Sequence, residues 1–256
     1  MDLDSHLTTR EEQIIALLKR YPQASNKLLM DQLFLSRSTL RRSLIELEAK
    51  GLILRYHGGI ILKERNRHED SADQRIRTNR QEKIAIAAAA STLLRDEMVL
   101  FLDSSSTVSY LAPHLARYRL TIITNNVDLA KDLRNVPELD VYLVPGRLRP
   151  RSTSTIGVFA LNFVRQFRAD LCFFSCKAVR EDGFYEGDIE QGKVKEVMLE
   201  GAKDVWLLCD NSKFDSDGLY HTADFSRLAG LITSDPLPTH IAKVFETLDC
   251  EQIVAR

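Results

Sequence analysis

The chain has 256 residues, 44% of them hydrophobic and 28% charged, with a formal net charge of −1. That composition excludes collagen-like, low-complexity and disordered classes, and the length predicts a small domain joined to a larger one. No apolar run approaches the roughly 18 residues of a bilayer span, and the opening MDLDSHLTTREE lacks the regions of a secretory signal, so a cytoplasmic chain without a membrane partner is expected.

The charge is uneven along the chain. Residues 1–65 hold 11 Lys/Arg against 8 Asp/Glu, and the remainder 24 against 28, so the mildly basic end is the front, as a nucleic-acid footprint requires. From Arg10 to Tyr21 the residues Ile14, Ile15, Leu17 and Leu18 recur at helical spacing, with Thr8 and Thr9 as cap candidates and a stop at Pro22. Ser25 can cap a short helix carrying Leu28, Leu29 and Leu33, and Ser36 a third carrying Leu40, Leu44 and Leu47, which Gly51 ends. Leu52–Tyr56 and Ile60–Leu62 flank His57-Gly58-Gly59 and read as two strands about a glycine turn. Three helices and a hairpin form a winged helix-turn-helix, assigned to residues 1–63.

The third helix turns its leucines inward and leaves Arg37, Ser38, Arg41 and Arg42 on or beside the opposite face. Guanidinium forks suit guanine edges and phosphates, and small hydroxyl residues near the helix start, Ser36, Ser38 and Thr39, let the backbone approach a groove. Arg37, Ser38 and Arg41 are the base-edge candidates; Arg42, Arg55, His57 and Lys63 suit phosphates. A plain solvated helix face is the alternative, but it predicts neither the short second helix nor the glycine wing. The run Ser36-x-x-Thr39-Leu40-Arg41-Arg42-x-Leu44, then Leu47-Glu48 and Gly51-Leu52-x-x-Arg55-x-His57-Gly58-Gly59, resembles the DeoR-type family of bacterial regulators. Ser43 stands where that family usually carries an aspartate.

Residues 64–80 are nearly devoid of apolar side chains and read as a polar linker. Beyond it, in the part assigned to residues 81–256, strand-like runs at Met98–Leu102, Leu120–Thr124, Val141–Val144, Leu171–Ser175, Val205–Cys209 and Leu228–Thr233 alternate with helical patterns. This predicts an α/β, Rossmann-like domain with a mostly parallel sheet. Cys172, Cys176, Cys209 and Cys250 suit reduced, buried thiols, and no second Cys or His pair follows Cys172-x-x-x-Cys176 at ligand spacing, so neither metal nor cofactor is expected.

The first of these strands runs into Asp103-Ser104-Ser105-Ser106-Thr107 and then a helical pattern, Val108–Leu115. Such a turn offers N–H groups and hydroxyls to a phosphate, and it equally makes an ordinary helix cap. Asn125, Asn126, Lys177, Asp210 and Lys213 follow neighbouring strands, at the sheet end where α/β folds bind ligands. This half also resembles the DeoR-type sensor domain, through Glu82-Lys83-x-Ala85-Ile86-Ala87, Asp103-Ser104-x-x-Thr107, Ile123-Thr124-Asn125, Gly157, Asp170, Gly183, Val194-Lys195 and Asp210-x-Ser212-Lys213-Phe214. The resemblance implies a fold like sugar-phosphate isomerases, with Ser104–Thr107 facing a ligand phosphate and Asp103 and Lys177 the sugar. It also implies a carboxylate shortly before Val194-Lys195, at Glu190 or at the position of Gln191. Two departures stand out: Ser105 and Ser106 replace the family's glycine and threonine, and Pro145-Gly146 its double glycine.

Taken together, these features predict a homo-oligomeric repressor that binds a double-stranded DNA operator of a carbohydrate-catabolic operon and is released by a phosphorylated sugar. A sugar-phosphate isomerase using Asp103, Glu186, Asp188, Glu190 and Lys177 is one alternative; a DNA-binding regulator whose larger domain only oligomerises is another.

Overall fold

The structure, a computed structural model, describes residues 8–20, 23–50, 52–56, 59–62, 71–214 and 216–255. The chain divides into two compact units, residues 1–69 and 70–256.

The smaller unit holds helices α1 (Thr9–Arg20), α2 (Asn26–Leu33) and α3 (Arg37–Ala49) and strands β1 (Gln23–Ala24), β2 (Ile53–Tyr56) and β3 (Gly59–Leu62). Each helix begins at a hydroxyl cap: Ser25 Oγ accepts from Leu28 N–H at 3.1 Å, and Ser36 Oγ from Thr39 N–H at 3.2 Å. Thr8 and Glu11 form a reciprocal capping box, with Glu11 N–H donating to Thr8 Oγ1 at 3.3 Å and Thr8 N–H to Glu11 Oε2 at 2.7 Å. Ile14, Leu18, Leu29, Leu40, Leu44, Leu47, Ile53 and Ile60 converge in one core. β2 and β3 pair antiparallel from Ile53 opposite Leu62 to Tyr56 opposite Gly59, and β1 adds a strand beyond β3. His57 and Lys63 lie outside the described residues.

The larger unit contains α4 (Ala72–Arg77), α5 (Arg80–Ser91), β4 (Val99–Leu102), α6 (Ser106–Ser109), α7 (Ala112–Leu115), β5 (Leu120–Thr124), α8 (Val127–Leu133) and β6 (Leu139–Leu143). It continues with β7 (Arg147–Leu148), β8 (Thr155–Ile156), α9 (Val158–Val164), β9 (Ala169–Phe174), β10 (Ala178–Arg180), β11 (Gly183–Glu186), α10 (Ile189–Gly201) and β12 (Ala202–Cys209). β13 (Tyr220–Ala223), β14 (Gly230–Thr233), α11 (Thr239–Phe245) and β15 (Glu251–Val254) complete it. Seven parallel strands form the central sheet in the order β15-β14-β12-β9-β4-β5-β6. Alternate residues enter opposite cores. Phe101, Cys172, Phe174, Val205 and Leu207 pack on one face, while Leu100, Leu102, Leu171, Phe173, Trp206 and Leu208 pack on the other. A sheet covered on both sides needs continuous apolar runs, and that is the pattern these strands carry.

Parts of the structure differ from the sequence reading. The polar stretch expected to run as a linker to residue 80 is structured from Ser71, whose hydroxyl caps α4 by accepting from Gln74 N–H at 3.3 Å; polar hydrogen bonding, rather than apolar burial, orders it. The expected helix over Val108–Leu115 is two short helices, because Pro113 falls in the first turn of α7 and cannot donate back into a continuous helix. β10, β11 and β13 form a separate antiparallel sheet, too short and mixed in pattern to read from sequence.

One tie in the smaller unit carries charge. Glu11 is fully buried and its Oε1 accepts from Lys50 Nζ at 2.7 Å, joining the start of α1 to the end of α3. Burial alone pushes the carboxyl up, but Lys50 and Thr8 outweigh it and hold Glu11 below the usual carboxylate range. Its contribution is therefore present above the unfolded value of about 4.3 and lost as pH falls through the lower folded one. Glu11→Gln is expected to cost about 1–3 kcal/mol, discounted for the half-solvated lysine. Hydrogen exchange of α1 and α3 amides measures this, and unchanged protection at neutral pH contradicts it.

Candidate functional site

Helix α3 presents Arg37, Ser38, Arg41, Arg42, Ile45 and Glu46 around one open concavity, with Leu40, Ser43, Leu44 and Leu47 buried behind it. Arg42 Nε donates to Glu46 Oε1 at 3.3 Å across one exposed turn. A solvated pair of this kind contributes little to stability. Ser43, where the resemblance leads one to expect an aspartate, faces the core, and Glu46 engages Arg42. The hydroxyls of Ser36, Ser38 and Thr39 contact one another at the cap, at 3.0 and 2.7 Å from Ser36 Oγ. Arg55 lies in β2, opposite Ile60.

In the larger unit the chain enters the sheet at β4. The following strands run outward to β6 on one side, while β9, β12, β14 and β15 extend the other, so the sheet reverses between β4 and β9. Ligands of open α/β sheets sit beyond the carboxyl ends of the strands at such a reversal. Asp103–Thr107 follow β4, Asn125 and Asn126 follow β5, Ser175–Lys177 follow β9, and Asp210–Lys213 follow β12. All the strand-end residues singled out from sequence therefore lie along one edge.

Several of them are occupied by the protein itself. Asp103 Oδ1 accepts from Ser105 N–H at 3.0 Å, and Oδ2 from Ser175 N–H at 3.3 Å and from Lys195 Nζ at 2.9 Å. Lys195, on α10, also contacts Glu186 and the Ser175 carbonyl. Burial works against its charge, but Asp103 and then Glu186 overcome it and hold the ammonium above its ordinary range. Asn126 caps α8 by accepting from Leu129 N–H at 3.2 Å and donates to Ser109 Oγ at 2.9 Å. Ser105 caps α6.

Other groups are buried without a partner among the described residues, including Ser104 Oγ, Asn125 Oδ1, Ser175 Oγ and Asp210 Oδ2. Ser104 and Asp210 are 3% and 1% exposed. Asp210 Oδ1, by contrast, accepts from Asn79 Nδ2 at 2.9 Å and Ser212 N–H at 3.1 Å. Burial raises the Asp210 carboxyl, but Lys213, Ser212 and Asn79 outweigh this and keep it low, as an anion. Lys177 is half-buried and makes no hydrogen bond or ion pair through its side chain among the described residues. The position left open between Glu190 and Gln191 is divided: Glu190 is exposed against Arg147, and Gln191 is buried and accepts from Arg149 at 3.1 Å.

Sequence reasoning missed Ser175, Glu186 as a buried partner of Lys195, and Lys83. Lys83 had a signal: it lies with Ile86, Ala87 and Ala90 on the buried face of α5, where a lysine needs a reason.

Residues 10–66 match the DeoR-like helix-turn-helix domain, and residues 78–235 the DeoR C terminal sensor domain. The chain belongs to the DeoR family. Relatives in it include the HTH-type transcriptional repressor GlcR of Bacillus subtilis, 32% identical over 90% of each chain. The glycerol-3-phosphate regulon repressor of Escherichia coli is 30% identical over 93% of this chain and 94% of its own. The lactose phosphotransferase system repressor of Staphylococcus epidermidis is 28% identical over 88% and 91%. Among solved structures, ribose 5-phosphate isomerase A of Methanocaldococcus jannaschii aligns with 54% of this chain and 55% of its own, at 17% identity and a TM-score of 0.40. As a member of the DeoR family the chain is a DNA-binding transcriptional regulator, and no described helix is long and apolar enough to cross a membrane.

The division between occupied and unpartnered groups is testable without any ligand. Asp103→Asn leaves Lys195 short of one of its two carboxylates and is expected to cost about 3–5 kcal/mol. Ser104→Ala and Ser175→Ala remove hydroxyls that satisfy nothing and are expected to change stability by less than about 1 kcal/mol, in the stabilising direction. Urea unfolding followed through Trp206 fluorescence measures all three.

Proposed function

We propose that the protein represses a carbohydrate-catabolic operon as a homo-oligomer and is released from operator DNA by a phosphorylated sugar held at the reversal of the sheet. The observation that carries this reading is the set of buried, unpartnered oxygens along one strand-end edge. Two of them, Asn125 Oδ1 and Asp210 Oδ2, are pure acceptors and call for donors such as sugar hydroxyls. Two more, the hydroxyls of Ser104 and Ser175, can donate to an anion. Thr107, buried beside them, and the half-buried Lys177 add a hydroxyl and a charge suited to phosphate. Lys213, whose charge does most to keep the Asp210 carboxyl low, stands at the same edge. The names of the GlcR, glycerol-3-phosphate and lactose repressors are consistent with this metabolic setting.

Each carboxylate on which the isomerase alternative draws is engaged by the protein. A general base needs a free carboxylate within reach of its proton. Asp103 is held by three donors, Glu186 engages Lys195, Asp188 caps α10 and pairs with Arg149 at 3.4 Å, and Glu190 pairs with Arg147. An oligomer follows from the DNA side, because one winged helix reads only a few base pairs and useful specificity requires paired half-sites. The ligand can act only by unequal affinity for DNA-competent and incompetent states; a coupling of about 1–3 kcal/mol gives about 5- to 150-fold regulation.

Arg41→Ala is expected to lose about 1–3 kcal/mol of specific binding and relax preference at one position per half-site. Arg55→Ala is expected to weaken all sequences alike and to flatten the salt dependence. Wild-type operator affinity in both, with the unit folded, contradicts the assignment of α3 and β2. Ser104→Ala with Thr107→Val, and separately Lys177→Met, should bind operator normally yet need about ten- to a hundredfold more metabolite for release. Release at the wild-type concentration from both places the effector elsewhere.

A further inference from the structure

The residue that sequence reasoning missed on α5 joins the effector site to a segment outside it. Lys83 is 2% exposed, and its Nζ donates to Ser106 Oγ at 3.1 Å and to the Arg75 carbonyl at 2.5 Å. Ser106 opens α6 in the serine turn; Arg75 lies in α4, the first helix of the larger unit. Tyr110, directly after α6, donates its hydroxyl to the neighbouring Ile76 carbonyl at 2.6 Å. Groups beside the serine turn thus hold two successive carbonyls of a six-residue helix. α4 has no buried residue, so hydrogen bonds fasten it; the others include Ala72 N–H to the Arg151 carbonyl at 3.1 Å.

An ammonium binds a phosphate oxygen more strongly than a neutral carbonyl, and a lysine directed at both serves the charged one first. We propose that Lys83 is a ligand of the effector's phosphate, and that effector binding draws its ammonium off the Arg75 carbonyl and loosens α4 from the sensor. The proposal rests on the effector reading above and adds its route to DNA, since the chain reaches the smaller unit through α4. Burial and four charged groups set the state of this amine. Burial depresses it, Asp210 at the end of β12 and Glu82 on α5 support its charge, and Lys213 and Arg75 oppose it, leaving it at about 8. Lys83 therefore carries its charge against a burial cost that a phosphate beside it relieves. Phosphate binding should weaken as pH rises through about 8, where the amine loses its proton.

The test uses the full chain, with inorganic phosphate, glycerol 3-phosphate and hexose 6-phosphates as probes, calorimetry for affinity and hydrogen exchange for residues 72–78. In the wild type, a bound probe should speed exchange in that segment. Lys83→Met should bind at least tenfold more weakly and exchange fast there with or without probe. Tyr110→Phe should exchange fast without probe yet bind as tightly as wild type or tighter, because one bond that binding strains is already gone. Should Lys83→Met lose protection in the central sheet, the wild type and Tyr110→Phe decide alone. Wild-type affinity in a folded Lys83→Met, or a segment that saturating probe leaves unchanged or slows, overturns the proposal while the effector site stands. A wild type that binds none of the probes overturns both.

Discussion

The contact on which the sensor unit depends is the buried ammonium of Lys195 between the carboxylates of Asp103 and Glu186. It joins the end of β4, the end of β11 and the middle of α10, and through the Ser175 N–H and carbonyl it also fixes the end of β9. Those are the two strands between which the sheet reverses. A parallel sheet leaves a crevice at such a reversal, and polar backbone ends there require satisfaction. The charged cluster supplies it on the floor of the edge and leaves the remaining oxygens, at Ser104, Asn125, Ser175 and Asp210, without protein partners. Asp103 and Glu186 at this edge are engaged by Lys195.

Regulation requires that binding at this edge change something that DNA binding also depends on. Helices that bond to residues in or next to the serine turn differ in how they are held. α8 and α10 are anchored by side-chain caps and by packing into the cores, with Leu129, Leu133, Val194 and Met198 buried. α4 is held by hydrogen bonds without apolar burial, and elements of that kind open at low free-energy cost. It is also the first element after the boundary between the two units. The smaller unit is organised differently, around one apolar core and the Glu11–Lys50 tie, and carries its arginines on the exposed face of α3.

Much of this was legible in the sequence because the physics is local. Ser25 and Ser36 cap helices where a hydroxyl precedes an apolar helical repeat, and the central strands stand out as apolar runs bounded by polar turns. The edge itself was legible as a row of polar residues following strands. What could not be read is how these groups are shared. Asp103, Asn126 and Lys195 have the residue types of ligand contacts, yet their atoms are engaged across 72, 17 and 9 residues of separation. α4 was hidden for a related reason, since composition reports apolar burial and this helix has none. Lys83 was visible in principle as a charge on a buried stripe, but its partners come from α4 and α6 and only the fold brings them together.

The most direct test of the account compares each candidate sugar phosphate with the same sugar lacking its phosphate, titrated into operator-bound protein while DNA release is followed by fluorescence anisotropy. The account predicts that a phosphorylated member of some pair releases DNA and that its unphosphorylated partner does not, even at a hundredfold higher concentration. Equal release by both members, or release by the unphosphorylated sugar alone, would contradict it.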